Sequence, residues 1–196
     1  MAALPKTGIL PAEYLALDRQ AETRSEYIDG EMVAMSGASM RHNMITSNII
    51  RELGTQLKPH PCRVLPSDMR VYAPDTGNYL YPDVTVVCGP PQLADARLDI
   101  LLNPTVLVEV LSESTEAHDR GRKFEGYRGL PSLREYLLVA QDGPHVERYV
   151  RQPNDDWTLT DFHGLDAVVR LPSLDCDLPL AEVYDKVDFA ETTTPD

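Results

Sequence analysis

The sequence predicts an α/β (α+β) protein in which a mixed β-sheet is flanked by helices. Three observations carry that expectation. In "SEYIDGEMVAM" an Asp29-Gly30 pair divides two short apolar segments, as a tight hairpin requires. From Met40 to Lys58, Ile45, Ile49, Leu53 and Leu57 recur every four residues, the stripe of an amphipathic helix. Runs rich in β-branched and aliphatic residues then follow: "CRVLPSDMRVYA", "YLYPDVTVVCG" and "PTVLVEVLS".

The remaining elements follow from local chemistry. Pro11 suits a first helical turn, so a short helix is expected over "PAEYLALDRQ". "KPHP" ends the long helix. "TEAHDRGRKFEGYRG" reads as a helix capped by Ser114 or Thr115, with Glu116 in its first turn. "REYLLVA" and "HVERYVRQ" are strands separated by the turn residues "QDGP". "WTLTDFHG" and "AVVRLPSL" are further short strands. Residues 1–189 are expected to form one domain, followed by a disordered acidic tail over 190–196.

Composition excludes several classes. No stretch approaches a membrane span, and "MAALPKTGILPAEY" lacks the basic start and apolar core of a signal peptide. Cys62, Cys88 and Cys176 are odd in number and form no CxxC pair; reduced cysteines in a cytoplasmic protein are expected. The formal charge of −13 disfavours phosphate contacts. Much of that acidity lies in residues 154–196, where eleven acids face Arg170 and Lys186.

Glu109 raises the chemical question. It interrupts the apolar run of Val106, Leu107, Val108, Val110 and Leu111, where an unpaired carboxylate would cost several kcal/mol. With period-two alternation it shares a face with Leu107 and Leu111. Asp83, in "YPDVTVV", stands at the entrance of the preceding apolar strand, beside Pro82. The two acids meet if those strands are neighbours. Asp119, Lys123 and Tyr127 are spaced by four along the helix that follows. Lys123 is the sole lysine between Lys58 and Lys186. It could neutralise a buried acid or stabilise charge developing at phosphorus. Mg²⁺ takes oxygen ligands, commonly one or two carboxylates completed by water and phosphate, and Asp83 with Glu109 would supply them.

Plainer readings stand beside these. Asp83 could cap a turn, and Asp119 with Lys123 could be an exposed ion pair. Glu109 could pair structurally with Arg120 or Lys123. A lone His42 in the first turn of the long helix reads as a cap or packing contact. Glu26 and Glu31 flank the hairpin and read as solvated.

The ordered set "DGE", His42, "PDV", "EVLS", "ST" and "D…K…Y" resembles the Uma2 family of restriction endonucleases, within the PD-(D/E)XK nuclease superfamily. The resemblance runs over about residues 14–140. It implies a restriction-endonuclease-like core, a divalent metal (Mg²⁺ or Mn²⁺) held by Asp83 and Glu109, and hydrolysis of nucleic-acid phosphodiesters, DNA ahead of RNA. It also implies Glu31 as a further acid near the metal, His42 facing the site, and a homodimer. One departure matters. The superfamily places a lysine two residues after the strand acid, and here that position is Leu111. Lys123 on the following helix is the candidate replacement, with Asp83 and Glu109 completing the catalytic set. Phosphate contacts could come from Arg41, Arg120, Arg122 and Arg128. The competing readings are a catalytically degenerate nuclease-fold binding module in a regulatory or defence system, and a hydrolase of a smaller phosphoester.

Overall fold

The computed structural model describes residues 8–35, 37–112 and 115–189. Helix α1 (Pro11–Asp18) carries Pro11 in its first turn and precedes the hairpin of β1 (Ser25–Ile28) and β2 (Glu31–Ala34). Asp29 and Gly30 both have positive φ, which the tight turn between twisted strands demands. Helix α2 (Met40–Gln56) starts at Ser39, whose side chain accepts from the His42 backbone N–H. Strands β3 (Cys62–Pro66), β4 (Arg70–Ala73), β5 (Asn78–Leu80), β6 (Val84–Cys88), β7 (Ile100–Leu101) and β8 (Val106–Val110) follow. Then come α3 (Glu116–His118), a π-helical turn (Asp119–Lys123) and α4 (Phe124–Arg128). Strands β9 (Glu135–Val139), β10 (His145–Arg151), β11 (Trp157–His163), β12 (Val168–Leu171) and β13 (Cys176–Pro179) lead into α5 (Leu180–Val183).

The strands form a mixed six-stranded sheet in the order β11-β10-β9-β8-β6-β3, a five-stranded sheet β2-β1-β5-β4-β7, and the pair β12-β13. In the six-stranded sheet β8 runs parallel to β9 and antiparallel to β6. Strand β8 separates two apolar clusters by alternation. Val106, Val108 and Val110 join the cluster that contains Ile45, Ile49, Leu53 and Leu57 of α2. Leu107 and Leu111 join Tyr127 and Leu130 on the other side, which is the face of Glu109. The strand is buried along its whole length, so its acid sits where the apolar pattern placed it.

Three differences from the sequence reading have physical causes. The helix after β8 is not uniformly α: a π turn spans Asp119–Lys123, a distortion that recurs where a helix must aim side chains at a site. Thr115 occupies its cap position without a capping side-chain bond, and Ser114 lies outside the described residues, as does the tail 190–196. The cysteine expectation is corrected. Cys62 and Cys88 form a disulfide, because β3 and β6 pair antiparallel with these residues directly opposite. A separation of 26 residues hid that register, and the compartment argument drawn from reduced cysteines falls with it. Cys176 is free and buried.

A buried ion pair locks the five-stranded sheet to α1. Arg70 donates to Asp18 at 2.6 Å, with both side chains almost wholly buried and the guanidinium over the rings of Tyr14 and Tyr81. Tyr81 donates its hydroxyl to Asp18 as well. Arg70→Ala would strand Asp18 without its cation, so a loss of about 3–5 kcal/mol is expected in urea unfolding at neutral pH. A shift of less than about 1 kcal/mol would show that water or repacking compensates the acid.

Candidate active site

The antiparallel register of β6 and β8 pairs Val84 with Val108, which sets Asp83 against Glu109. Asp83 Oδ2 accepts the Val110 backbone N–H at 2.7 Å and lies 3.1 Å from His42 Nε2. The strand start expected at Pro82 is therefore where an acid becomes available at the mouth of the sheet. Asp83 caps no turn. His42, in the first turn of α2, touches it directly.

Glu109 is 2 % exposed. Its Oε1 accepts from Tyr127 Oη at 3.0 Å and lies 3.3 Å from Lys123 Nζ. Lys123 thus reaches back to the strand acid from the helix. The same ammonium lies 3.1 Å from Asp119 Oδ1 and 3.1 Å from Glu26 Oε1. The reading of Asp119 and Lys123 as an exposed pair is overturned: both are buried. So is the reading of Glu26 as solvated. Glu26 is 6 % exposed and accepts the Tyr81 backbone N–H at 3.0 Å. Glu31 is exposed and lines the same cleft.

Electrostatics follow from burial. Desolvation pushes the Glu109 carboxyl well above its ordinary pKa; Lys123 opposes this, and Asp119, Asp83 and Glu26 add to it. Burial also works against the Lys123 charge, yet Glu109, Glu26 and Asp119 together hold its pKa well above the usual lysine value. Burial first, then Glu109, raises the Tyr127 phenol, which stays a donor. His118, half-buried at the cleft, has its pKa lowered by burial and by Lys123.

The site opens into a cleft of about 900 Å³ between the hairpin, the N-terminal end of α2 and the π turn. Ser39 and Gln141 form a bond across its rim at 2.7 Å. Neither stood out in the sequence, since a cap serine and a turn glutamine meet only through the fold. Of the four arginines named for phosphate contact, only Arg122 lines the cleft, 66 % exposed. Arg120 is paired with Glu116 and Glu147, and Arg41 donates to the Asp188 carbonyl; Arg128 is exposed elsewhere.

The donor set fits a hard divalent cation. Three carboxylates (Glu26, Glu109 and Asp119) contact one ammonium, and Asp83 adds a fourth acid close enough to act on Glu109, a formal excess of three negative charges if all are ionised. Such an excess is relieved by protons or by a cation. Asp83 and Glu109 offer oxygen ligands at the cleft, and water with phosphate would complete the shell.

The mixed sheet delivers two acids from adjacent strands to one cleft, backed by the helical segment that carries Lys123. The structure superposes on the crystal structure of a putative nuclease of DUF820 from Anabaena variabilis, with a TM-score of 0.74 over 90 % of this chain and 97 % of that one, at 21 % identity. The chain belongs to the Uma2 family, described as "Putative restriction endonuclease", whose model matches residues 11–181. Similar proteins include two from Synechocystis sp. The uncharacterized protein sll1609 is 37 % identical, covering 87 % of this chain and 97 % of its own length. The uncharacterized protein slr1290 is 32 % identical, covering 96 % of each. Among the described residues no helix is long and apolar enough to cross a membrane.

Proposed function

We propose that this chain is a metal-dependent endonuclease that hydrolyses nucleic-acid phosphodiester bonds, DNA ahead of RNA, using Mg²⁺ or Mn²⁺. The observation that carries the reading is the placement of Asp83, Glu109 and Lys123 together at one cleft, although the lysine is missing from the acid's own strand. Asp83 and Glu109 would hold the metal. When bound, the cation polarises the phosphate and lowers the pKa of a coordinated water. The chain's own groups do the positioning. The Val110 N–H and His42 fix one oxygen of Asp83, and Tyr127 with Lys123 fixes Oε1 of Glu109. Glu26 and Asp119 hold the Lys123 ammonium at the cleft, where it would face negative charge developing at phosphorus. A homodimer would present two such clefts to the two strands of a duplex; light scattering in solution checks the mass.

The observation favouring a second reading is Leu111, only 6 % exposed, where the superfamily places its lysine. A binding module needs neither that lysine nor a metal. Supercoiled plasmid, single-stranded RNA and bis-p-nitrophenyl phosphate, each with Mg²⁺ and with Mn²⁺, separate the readings. Metal-dependent nicking of plasmid supports the endonuclease. Turnover of the small diester alone points to a smaller phosphoester substrate. Plasmid binding that is steep in salt but never leads to cleavage supports the module.

A further inference from the structure

A second cluster of ligating side chains lies on the β10–β11 hairpin. His145 and His163 are directly opposite each other at its open end, away from the 152–156 turn. Their rings stack with centroids 4.2 Å apart and an interplanar angle of 6°. Asp161 lies on the same face as His163, two residues back, and its Oδ1 is 3.1 Å from His145 Nε2. One donor atom from each of these three residues falls within 4.8 Å of the other two. Glu147 adds a carboxylate next along the face of His145, with Oε1 4.0 Å from His145 Nε2.

We propose that His145, His163 and Asp161 form a binding site for a borderline divalent transition ion of the Zn²⁺ class, with Glu147 or water as fourth ligand. The chemistry differs from that of the acid cluster. Two imidazoles and a carboxylate suit Zn²⁺, Co²⁺ or Ni²⁺, whereas Mg²⁺ prefers an all-oxygen shell. Geometry supports the assignment. Ligands about 2.0–2.1 Å from a tetrahedral ion stand roughly 3.3 Å apart. The His145–Asp161 separation of 3.1 Å already matches that edge. His163 must approach by a rotamer adjustment, which its exposed position permits. An ion there would pin the open end of a hairpin whose other end is closed by its turn. Glu147 also accepts from Arg120 of the π turn.

The test is calorimetric titration of the full chain with Zn²⁺ in excess Mg²⁺, which occupies oxygen-only sites, with Co²⁺ absorption as a second readout. One equivalent of Zn²⁺ is expected, with tetrahedral Co²⁺ bands and a melting temperature that rises with Zn²⁺. His163→Ala and His145→Ala should each weaken binding by roughly a hundredfold or more, since even outer-shell changes cost ten- to a hundredfold. His60→Ala, an exposed histidine elsewhere, should leave it unchanged. If His145→Ala fails to fold, the exposed His163→Ala decides. Absence of Zn²⁺ binding, or equal affinity in wild type and His163→Ala, would overturn the assignment. Because Mg²⁺ is present throughout, failure here leaves the nuclease reading untouched.

Discussion

Lys123→Ala is expected to cost about 3–5 kcal/mol of stability, the loss seen when one partner of a buried ionic cluster is removed. The ammonium lies within 3.3 Å of Glu26, Glu109 and Asp119, and all four groups are buried. Without it the buried Glu109 must take up a proton, so the variant should suffer more at pH 8 than at pH 5. The sign follows from the directions of the shifts. Glu109 has its folded pKa raised, so it contributes most below its unfolded value near 4.5, and that contribution is lost as pH rises through the folded value. Removing Lys123 raises the Glu109 pKa further and widens that window. Urea unfolding at the two pH values measures the difference, and an equal loss at both would contradict the ionic account.

Glu109→Gln is the second large effect, and it separates stability from activity. The substitution keeps the shape and the acceptor for Tyr127 while removing a charge that burial disfavours. Stability at pH 8 should therefore be retained or raised. The metal would lose a charged ligand, so cleavage should fall by at least about 10³-fold, equivalent to about 4 kcal/mol. A variant that melts lower than wild type and cuts equally well would contradict both parts.

Much of this was legible because the strongest signals were local. The Asp29-Gly30 hairpin, the stripe on α2 and the alternation in β8 each state their own geometry. Glu109 was conspicuous because a charge in an apolar strand has to be answered. What stayed hidden depends on partners far apart in the chain. Glu26 is buried by a lysine 97 positions away and by the backbone of Tyr81. The Cys62–Cys88 bond needs the β3–β6 register, and the Asp18–Arg70 pair needs α1 packed on the second sheet. The π turn is a matter of one extra residue per turn, which side-chain spacing of four does not reveal.

The proposed function rests on the acid pair and the helix lysine acting together as a metal-dependent phosphodiesterase site. Nicking of supercoiled plasmid by wild type and by Glu109→Gln, with and without Mg²⁺ or Mn²⁺, tests it most directly. Cutting by wild type only when a metal is present, and its loss in folded Glu109→Gln, is the expected result. Cutting that persists in the variant, or a folded wild type that never cuts with either metal, would contradict it.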